Sequence, residues 1–510
     1  MKTRKTNKPR EKLNSMSIFC MEDVVIWFVH QRERFCMHKE ELFENTPIFR
    51  ALFELALPTV FGQIILVVYN MADTYFVGLT KSNHMLTAVT ICMPAFMILT
   101  AMANLFGVGG SSVIARALGK ANYDRAKSTC AFSFWGCTAF TLIYSLVVYI
   151  FINPVINALG GTDPFVHKYA RTYLMYTVVF GGFFTSMNAL MAHLVRSEGK
   201  ALHASIGVVI GGVLNIALDP LFMFVILEKG NEVAGAAIAT ALSNTISFFY
   251  YVVIFVASRR EKSILNVKLT GESFKNSIPS CVFDAGLPAC IMTLAENISY
   301  AILDKLMSYN GLAAQTGIGV AKKVNMMAHS IVRGVTQGAL PLLGYSYSCG
   351  NRVKTKKTVG ATVLISASAA FICTVVSLLF ANEVIGVFIH ETNEAHIYGT
   401  KFLRILCVGA PFSAVTYTFI SFFQAVGHGR KSFVLALLRK GILDIPLMFV
   451  LQNLVKIYGI VLATPITDAI CFVVSLCLFS KFAEKHLAAN KIRKVYNPVT
   501  GKNEVVGEKN

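Results

Sequence analysis

Long apolar stretches separated by short polar loops run along nearly the whole chain. Read at a bilayer-crossing length of about 20 residues, they predict about twelve membrane-spanning helices. Six lie near residues 51–79, 85–113, 129–152, 165–194, 203–227 and 233–257. The other six lie near 282–309, 313–343, 359–389, 396–425, 433–455 and 457–482. The fold class this implies is an all-α polytopic membrane protein.

The second six copy the first. Phe53-Glu54-Leu55-Ala56-Leu57-Pro58 returns as Phe283-Asp284-Ala285-Gly286-Leu287-Pro288, an offset of about 230 residues. Leu218-Asp219-Pro220-Leu221-Phe222 returns as Leu443-Asp444-Ile445-Pro446-Leu447, and Gly235 through Ala239-Thr240 returns as Gly459 through Ala463-Thr464. A half-chain repeat in a membrane protein marks a transporter with its site between the halves. The expected organisation is an N-terminal cytoplasmic extension (1–45), a six-helix lobe (46–257), a cytoplasmic linker (258–280), a second six-helix lobe (281–483) and a basic cytoplasmic tail (484–510). Residues 1–36 are basic and poorly patterned, and Met37-His38-Lys39-Glu40-Glu41-Leu42 reads as a natural beginning. Residues 1–36 are therefore expected to be missing from the native protein, and N-terminal sequencing that found them would refute this.

Composition agrees with a bilayer. The 510 residues are 55% hydrophobic and 15% charged, with a mean hydropathy of +0.57. The net charge of +19 would suggest nucleic acid if the basic residues were gathered on one face. They alternate by loop instead: Arg116, Lys120, Arg125 and Lys127 follow the second span, Arg196 and Lys200 the fourth, and Arg259 to Lys275 the sixth. Arg352 to Lys357 and Arg430 with Lys431 continue the series. By the positive-inside rule both termini and the even-numbered loops are cytoplasmic, so the charge sets topology and no nucleic-acid partner is expected. The twelve cysteines form no CxxC pair, and Cys92, Cys137, Cys373 and Cys471 read as small buried hydrophobes. No nucleotide-binding loop, nucleophile elbow or metal-binding pair stands in a usable context. An enzyme, a cofactor and a resident metal are not expected, and the energy for transport must come from an ion gradient.

Ionisable groups at membrane depth are costly and mark function. Asp73 lies roughly 30 Å along the outward-running first span, with Tyr69 one turn below on the same face. In the fifth span Asn215 and Asp219 share a face, and Pro220 removes a backbone donor, freeing a carbonyl nearby. Two acids in apolar surroundings can hold a proton, or a sodium ion with the help of amide and carbonyl oxygens, in one conformation and release it in another. Glu296, Tyr300 and Asp304 also share a helix face. The following span runs the other way, which places Arg333 near Glu296 and Lys322 with Lys323 near Asp304. A Glu296–Arg333 pair suits a structural contact or a substrate contact better than a proton carrier. Glu54 and Asp284 are expected as caps or interfacial groups, and Arg196 to Lys200 as a structural turn. His193, His329 and His428 are expected to be satisfied or interfacial, while Asp444 and Asp468 stay open.

These residues resemble the multidrug and toxic compound extrusion (MATE) family. The resemblance is carried by Leu57-Pro58, Tyr69-Asn70-Met71-Ala72-Asp73-Thr74 with Val77-Gly78, and Gly107-Val108-Gly109-Gly110-Ser111 ahead of Arg116 to Gly119. Arg196-Ser197-Glu198-Gly199, Asn215 to Pro220, and Gln337-Gly338 through Pro341 with Gly344-Tyr345 add to it, and the match covers about residues 45 to 485. It implies two pseudo-symmetric six-helix lobes facing each other in a V, alternating access, and export of amphipathic, often cationic, small molecules against H+ or Na+. It also implies a cation site at Asp73, Asn215 and Asp219, with Tyr69 and Thr240 as neighbours and Na+ as one candidate ion. Glu296 looks like an acid of the sodium-coupled branch, though Arg333 is foreign to that pattern; Tyr300 and Asp304 complete a second-lobe set for coupling or substrate contact. A monomer in the bacterial inner membrane is expected. The rival readings are a flippase for lipid-linked saccharides, kept open by Lys322, Lys323 and Arg333, and a passive channel or intramembrane enzyme.

Overall fold

The computed structural model describes residues 41–80, 82–258, 263–274, 277–389 and 394–487, with the backbone of 494–497 and 502–505. The expectation for residues 1–36 lies outside these. Glu41–Asn45 form one wide helical turn in a separate unit that ends at Thr46, and the chain from Pro47 onward is a second unit.

The repeat seen in the sequence is visible as a repeat of elements. The first half contains α1 (Ile48–Leu79), α2 (Asn83–Leu118), α3 (Tyr123–Ile150), the short α4 (Ile152–Ala158), α5 (Pro164–Leu174), α6 (Gly182–Ser197), α7 (Ala201–Pro220) and α8 (Glu232–Ser258). The second half contains α9 (Ile278–Ser308), α10 (Leu312–Ser348), α11 (Arg352–Leu379), the short α12 (Ala381–Gly386), α13 (Glu394–Cys407), α14 (Ala410–Ala425), α15 (Gly429–Leu437), α16 (Asp444–Val455) and α17 (Ile457–Phe482). Even the caps correspond. Asn122 accepts from the backbone N–H of Arg125 at the start of α3, and Asn351 accepts from that of Lys354 at the start of α11.

Among the described residues eight helices are long and apolar enough to cross a bilayer, and two bent pairs raise the number to ten. Two of the expected spans, 165–194 and 396–425, are bent. Helix α5 runs through a π-helical segment, Met175–Phe180, and breaks by 50° at Gly181 before α6; α13 and α14 meet at 46° around Gly409. A side chain on Gly181 would strike the Tyr176 carbonyl and Ala241, so only glycine permits the corner. Hydropathy carries no directional information and does not see such turns. The remaining expected spans are α10, of 37 residues, and the run from α15 to α16 through a π-helical segment at Leu438–Ile442. Both are long enough, but both carry charged residues.

The halves meet mainly where α2 packs on α9 and α1 on α10. Close approach there depends on glycine: a Cβ on Gly286 would overlap the Leu105 carbonyl, and one on Gly338 would come within 2.6 Å of the Ala56 Cα. Gln63 donates to Gln337 at 3.3 Å, Asn104 to Thr293 at 2.9 Å, and Ser112 to the Gln424 carbonyl at 2.5 Å. These contacts run from the middle of the bundle to the end at which α1 and α9 begin, the basal end.

The linker packs against the bundle: Ile264 and Leu265 are buried, the Trp135 indole donates to the Val267 carbonyl at 2.8 Å, and Phe274 sits edge-on to Phe132. The tail also does more than extend into solvent. Past α17 the helix continues as a π-helical turn to a buried Leu487, and Lys494–Asn497 pairs antiparallel with Lys502–Val505.

Candidate functional site

Asp73 on α1 and Asp219 on α7 are buried, at 6% and 0% exposure, and near enough for their charges to act on each other. Helices α1 and α7 pack closely here because α7 presents Gly212 to Ile65 and the Tyr69 ring. Asn215, one turn before Asp219, donates through Nδ2 to Asp219 Oδ1 at 3.3 Å and to Thr240 Oγ1 on α8 at 3.2 Å. The shared face expected for Asn215 and Asp219 from their spacing of four is present as this contact. Three acceptor atoms in the group have no donor: Asp73 Oδ1, Asn215 Oδ1 and Asp219 Oδ2. Buried acceptors without partners cost of the order of 1–3 kcal/mol each, so their recurrence at one site needs a reason. All three are oxygen acceptors of the kind that ligate a proton or a small cation. One turn further along α1 and past the end of α7, Val77 and Met223 join Val233, Ala236 and Tyr173 in an apolar cluster on that side of the acids.

Tyr173 was not foreseen. It is buried, close to Asp73, Tyr69 and Asp219, and comes from the last turn of α5. Nothing in its local sequence distinguishes it from a packing tyrosine.

The second half uses its acids differently. Arg333 Nη2 donates to both Glu296 oxygens at 2.7 Å, and Lys322 donates to Asp304 at 2.7 Å. Both pairs were expected from the antiparallel depths. Tyr300 packs its ring 5.3 Å from the ammonium groups of Lys322 and Lys440. Arg439 donates to Asp468 at 2.7 Å and stacks on Tyr417 at 4.3 Å. Lys440 donates to Asp444 at 2.8 Å, and that carboxylate also accepts from Ser299 at 2.6 Å and Thr464 at 3.1 Å. Asp444 and Asp468, left open by the sequence, are thus each neutralised by a base. The bases Arg439 and Lys440 were missed because adjacent residues on a regular helix point about 100° apart. The π-helical segment that holds them turns both inward, leaving them 1% and 2% exposed. The signal available was a basic pair inside an apolar run.

Glu54 caps nothing and pairs with Arg50 at 3.0 Å along its own helix. Asp284 accepts from the Gly429 N–H at 3.2 Å, capping α15. Glu198, in the turn formed by Gly199 at φ +89°, holds the linker by accepting from the Ser263 hydroxyl and the Ile264 N–H. His193 lies 3.5 Å from Arg196, and His329 lies 3.4 Å from Ser413. Cys92, Cys137 and Cys471 are buried and Cys373 is half-buried.

Buried acids gathered inside a twofold-repeated bundle of bilayer-length helices define a polytopic membrane transporter. The chain belongs to the MatE family, whose model matches residues 58–221 and again residues 288–450. The two matches are offset by the same interval as the internal repeat. The chain is 26% identical over 448 residues to the multidrug export protein MepA of Staphylococcus aureus strain MRSA252, covering 87% of this chain and 96% of that protein. It is also 26% identical over 449 residues to MepA of Staphylococcus saprophyticus, again covering 87% and 96%. Its fold matches an outward-facing multidrug resistance MATE family transporter with a TM-score of 0.79 at 23% identity, over 88% of this chain and 98% of that one. The Vibrio cholerae MATE transporter VcmN gives 0.78 at 18% identity, over 86% and 97%. The protein is therefore a multipass membrane transporter of the MATE multidrug efflux family.

Proposed function

We propose that this transporter exports amphipathic, cationic small molecules in exchange for H+ or Na+, with the coupling cation held by Asp73, Asn215 and Asp219 and with Tyr69 and Thr240 beside it. The observation that carries this reading is the set of three unpartnered buried oxygens on those residues. A cation arriving from outside neutralises the pocket, the lobes rearrange, and a cationic substrate loses its electrostatic hold. Reciprocal linkage then requires substrate and coupling ion to weaken each other's binding. The lobes are residues 46–257 and 281–483, with 258–280 as the cytoplasmic linker and 484–510 as a cytoplasmic tail. The basal end, where α1 begins, is the cytoplasmic one, and the hydrogen bond from Ser112 to the Gln424 carbonyl helps close it. This supports an outward-open reading, with the protein acting as a monomer in the bacterial plasma membrane.

Of the three basic residues that kept the flippase reading open, Arg333 and Lys322 are engaged by Glu296 and Asp304 rather than free for a pyrophosphate, which leaves Lys323 alone to support it. Glu296, Tyr300, Asp304 and Arg333 instead serve as a charge-balanced wall for substrate contact. The test is ethidium efflux from proteoliposomes under an imposed proton or sodium gradient, for wild type and Asp73→Asn. The reading expects one gradient to drive efflux and the variant to lose it; gradient-independent efflux overturns it.

A further inference from the structure

The second half repeats the Asp219–Thr240 group with a lysine added to it. Asp219 and Asp444 are equivalent in the internal repeat, as are Thr240 and Thr464. Counting back four residues from each acid gives Asn215 in the first half and Lys440 in the second. The contacts correspond as well as the sequence. Asn215 Nδ2 lies 3.3 Å from Asp219 and 3.2 Å from Thr240. Lys440 Nζ lies 2.8 Å from Asp444, whose other oxygen accepts from Thr464 at 3.1 Å. Each group sits beside a π-helical segment, Leu221–Ile226 after Asp219 and Leu438–Ile442 before Asp444.

The two copies differ in how they are satisfied. In the first, Asp219 Oδ2 and Asn215 Oδ1 have no partner; in the second, both Asp444 oxygens are hydrogen-bonded and the acid is fully buried. The difference follows from the exchange of a neutral amide for an ammonium. An ammonium is a compact monovalent cation with three donors, comparable in charge and reach to a bound sodium or hydronium ion.

We propose that Lys440 is the resident cation of a second, degenerate monovalent-cation site formed by Asp444, Thr464 and Ser299. The site is permanently filled, so only the first half exchanges ions. This rests on the cation-site reading above for its meaning in transport, but its test does not involve transport. Neutralising Lys440 opens a vacancy that a free monovalent cation can take.

The experiment measures thermal unfolding of purified Lys440→Asn, which places in the second half the residue the first half uses. Asp219→Asn is added throughout to silence the first site. Sodium or ammonium chloride is titrated against N-methylglucamine chloride at constant ionic strength. The expected result is a lower Tm than the Asp219→Asn parent, rising with the logarithm of sodium or ammonium concentration as a binding equilibrium requires. The further change Asp444→Asn should abolish that response and itself recover stability, because no lone buried charge remains. A Lys440→Asn protein that gains nothing from either cation, or that cannot be recovered in molar ammonium, overturns the proposal. So does a response that survives Asp444→Asn. Failure of ethidium antiport together with a positive cation response would overturn the transport reading and leave this site standing.

Discussion

Arg439 donates from Nε to Asp468 Oδ1 at 2.7 Å, with the two side chains only 1% and 2% exposed. Two further polar atoms of this pair, Arg439 Nη1 and Asp468 Oδ2, have no partner. Desolvation of both charges is offset only while they stay together. Removing one partner strands a buried charge, which costs about 3–5 kcal/mol, whereas replacing both is close to neutral. Arg439→Met and Asp468→Leu are each expected to lower thermal stability strongly, and the double variant to recover most of it. Unfolding of the purified proteins reads this directly; additive losses would contradict the pairing.

Asn215 joins Asp219 to Thr240 through one amide. Asn215→Leu keeps the volume and removes both the donor and the free acceptor. Uptake or efflux driven by an imposed gradient is expected to fall at least about tenfold, in line with one lost hydrogen-bonded contact to a charged group. Surface expression should be unchanged. Retention of gradient-driven transport in Asn215→Leu would remove this residue from the cation site.

Glu198 holds the linker through Ser263 and Ile264 while itself 1% exposed. Glu198→Ala leaves the Ile264 N–H without its acceptor, a loss of about 1–3 kcal/mol in local stability. Limited proteolysis is expected to cut within residues 263–274 faster in the variant, with the helices spared. Equal cutting rates would show that Trp135 and Phe132 hold the segment without help.

His428 lies in the turn between α14 and α15, edge-on to Phe482 at 4.9 Å. Burial, reinforced by Lys431, His486 and Arg116 and opposed by Asp284, lowers its pKa below the ordinary 6.5. The unfolded chain therefore takes up the proton first. The contribution is fully present above about pH 6.5 and is lost as pH falls through the folded value. Tm should decline from pH 7.5 to 5, and His428→Gln should flatten that decline. Parallel curves for the two proteins would rule His428 out as the source.

The sequence was most informative where polar residues interrupt apolar spans. Asp73, Asn215 and Asp219 stood out on that ground, and helical rise with antiparallel direction was enough to bring Arg333 to Glu296 and Lys322 to Asp304. What stayed hidden depends on local departures from the regular helix. The bend at Gly181 and the inward turn of Arg439 with Lys440 both arise beside π-helical segments, whose extra residue shifts every later side chain around the axis. Tyr173 was hidden for a different reason, since it reaches the acids only through the packing of α5 against α2 and α8.

In the proposed exchange cycle, Asp73, Asn215 and Asp219 hold a cation that a cationic substrate displaces. The most direct measurement adds ethidium to purified protein in weakly buffered solution and records released protons, with sodium release followed in parallel by isotope. Wild type is expected to release one of these ions, saturating with ethidium binding, and Asp73→Asn and Asp219→Asn to release none. Ethidium binding without ion release, or equal release by the variants, would contradict it.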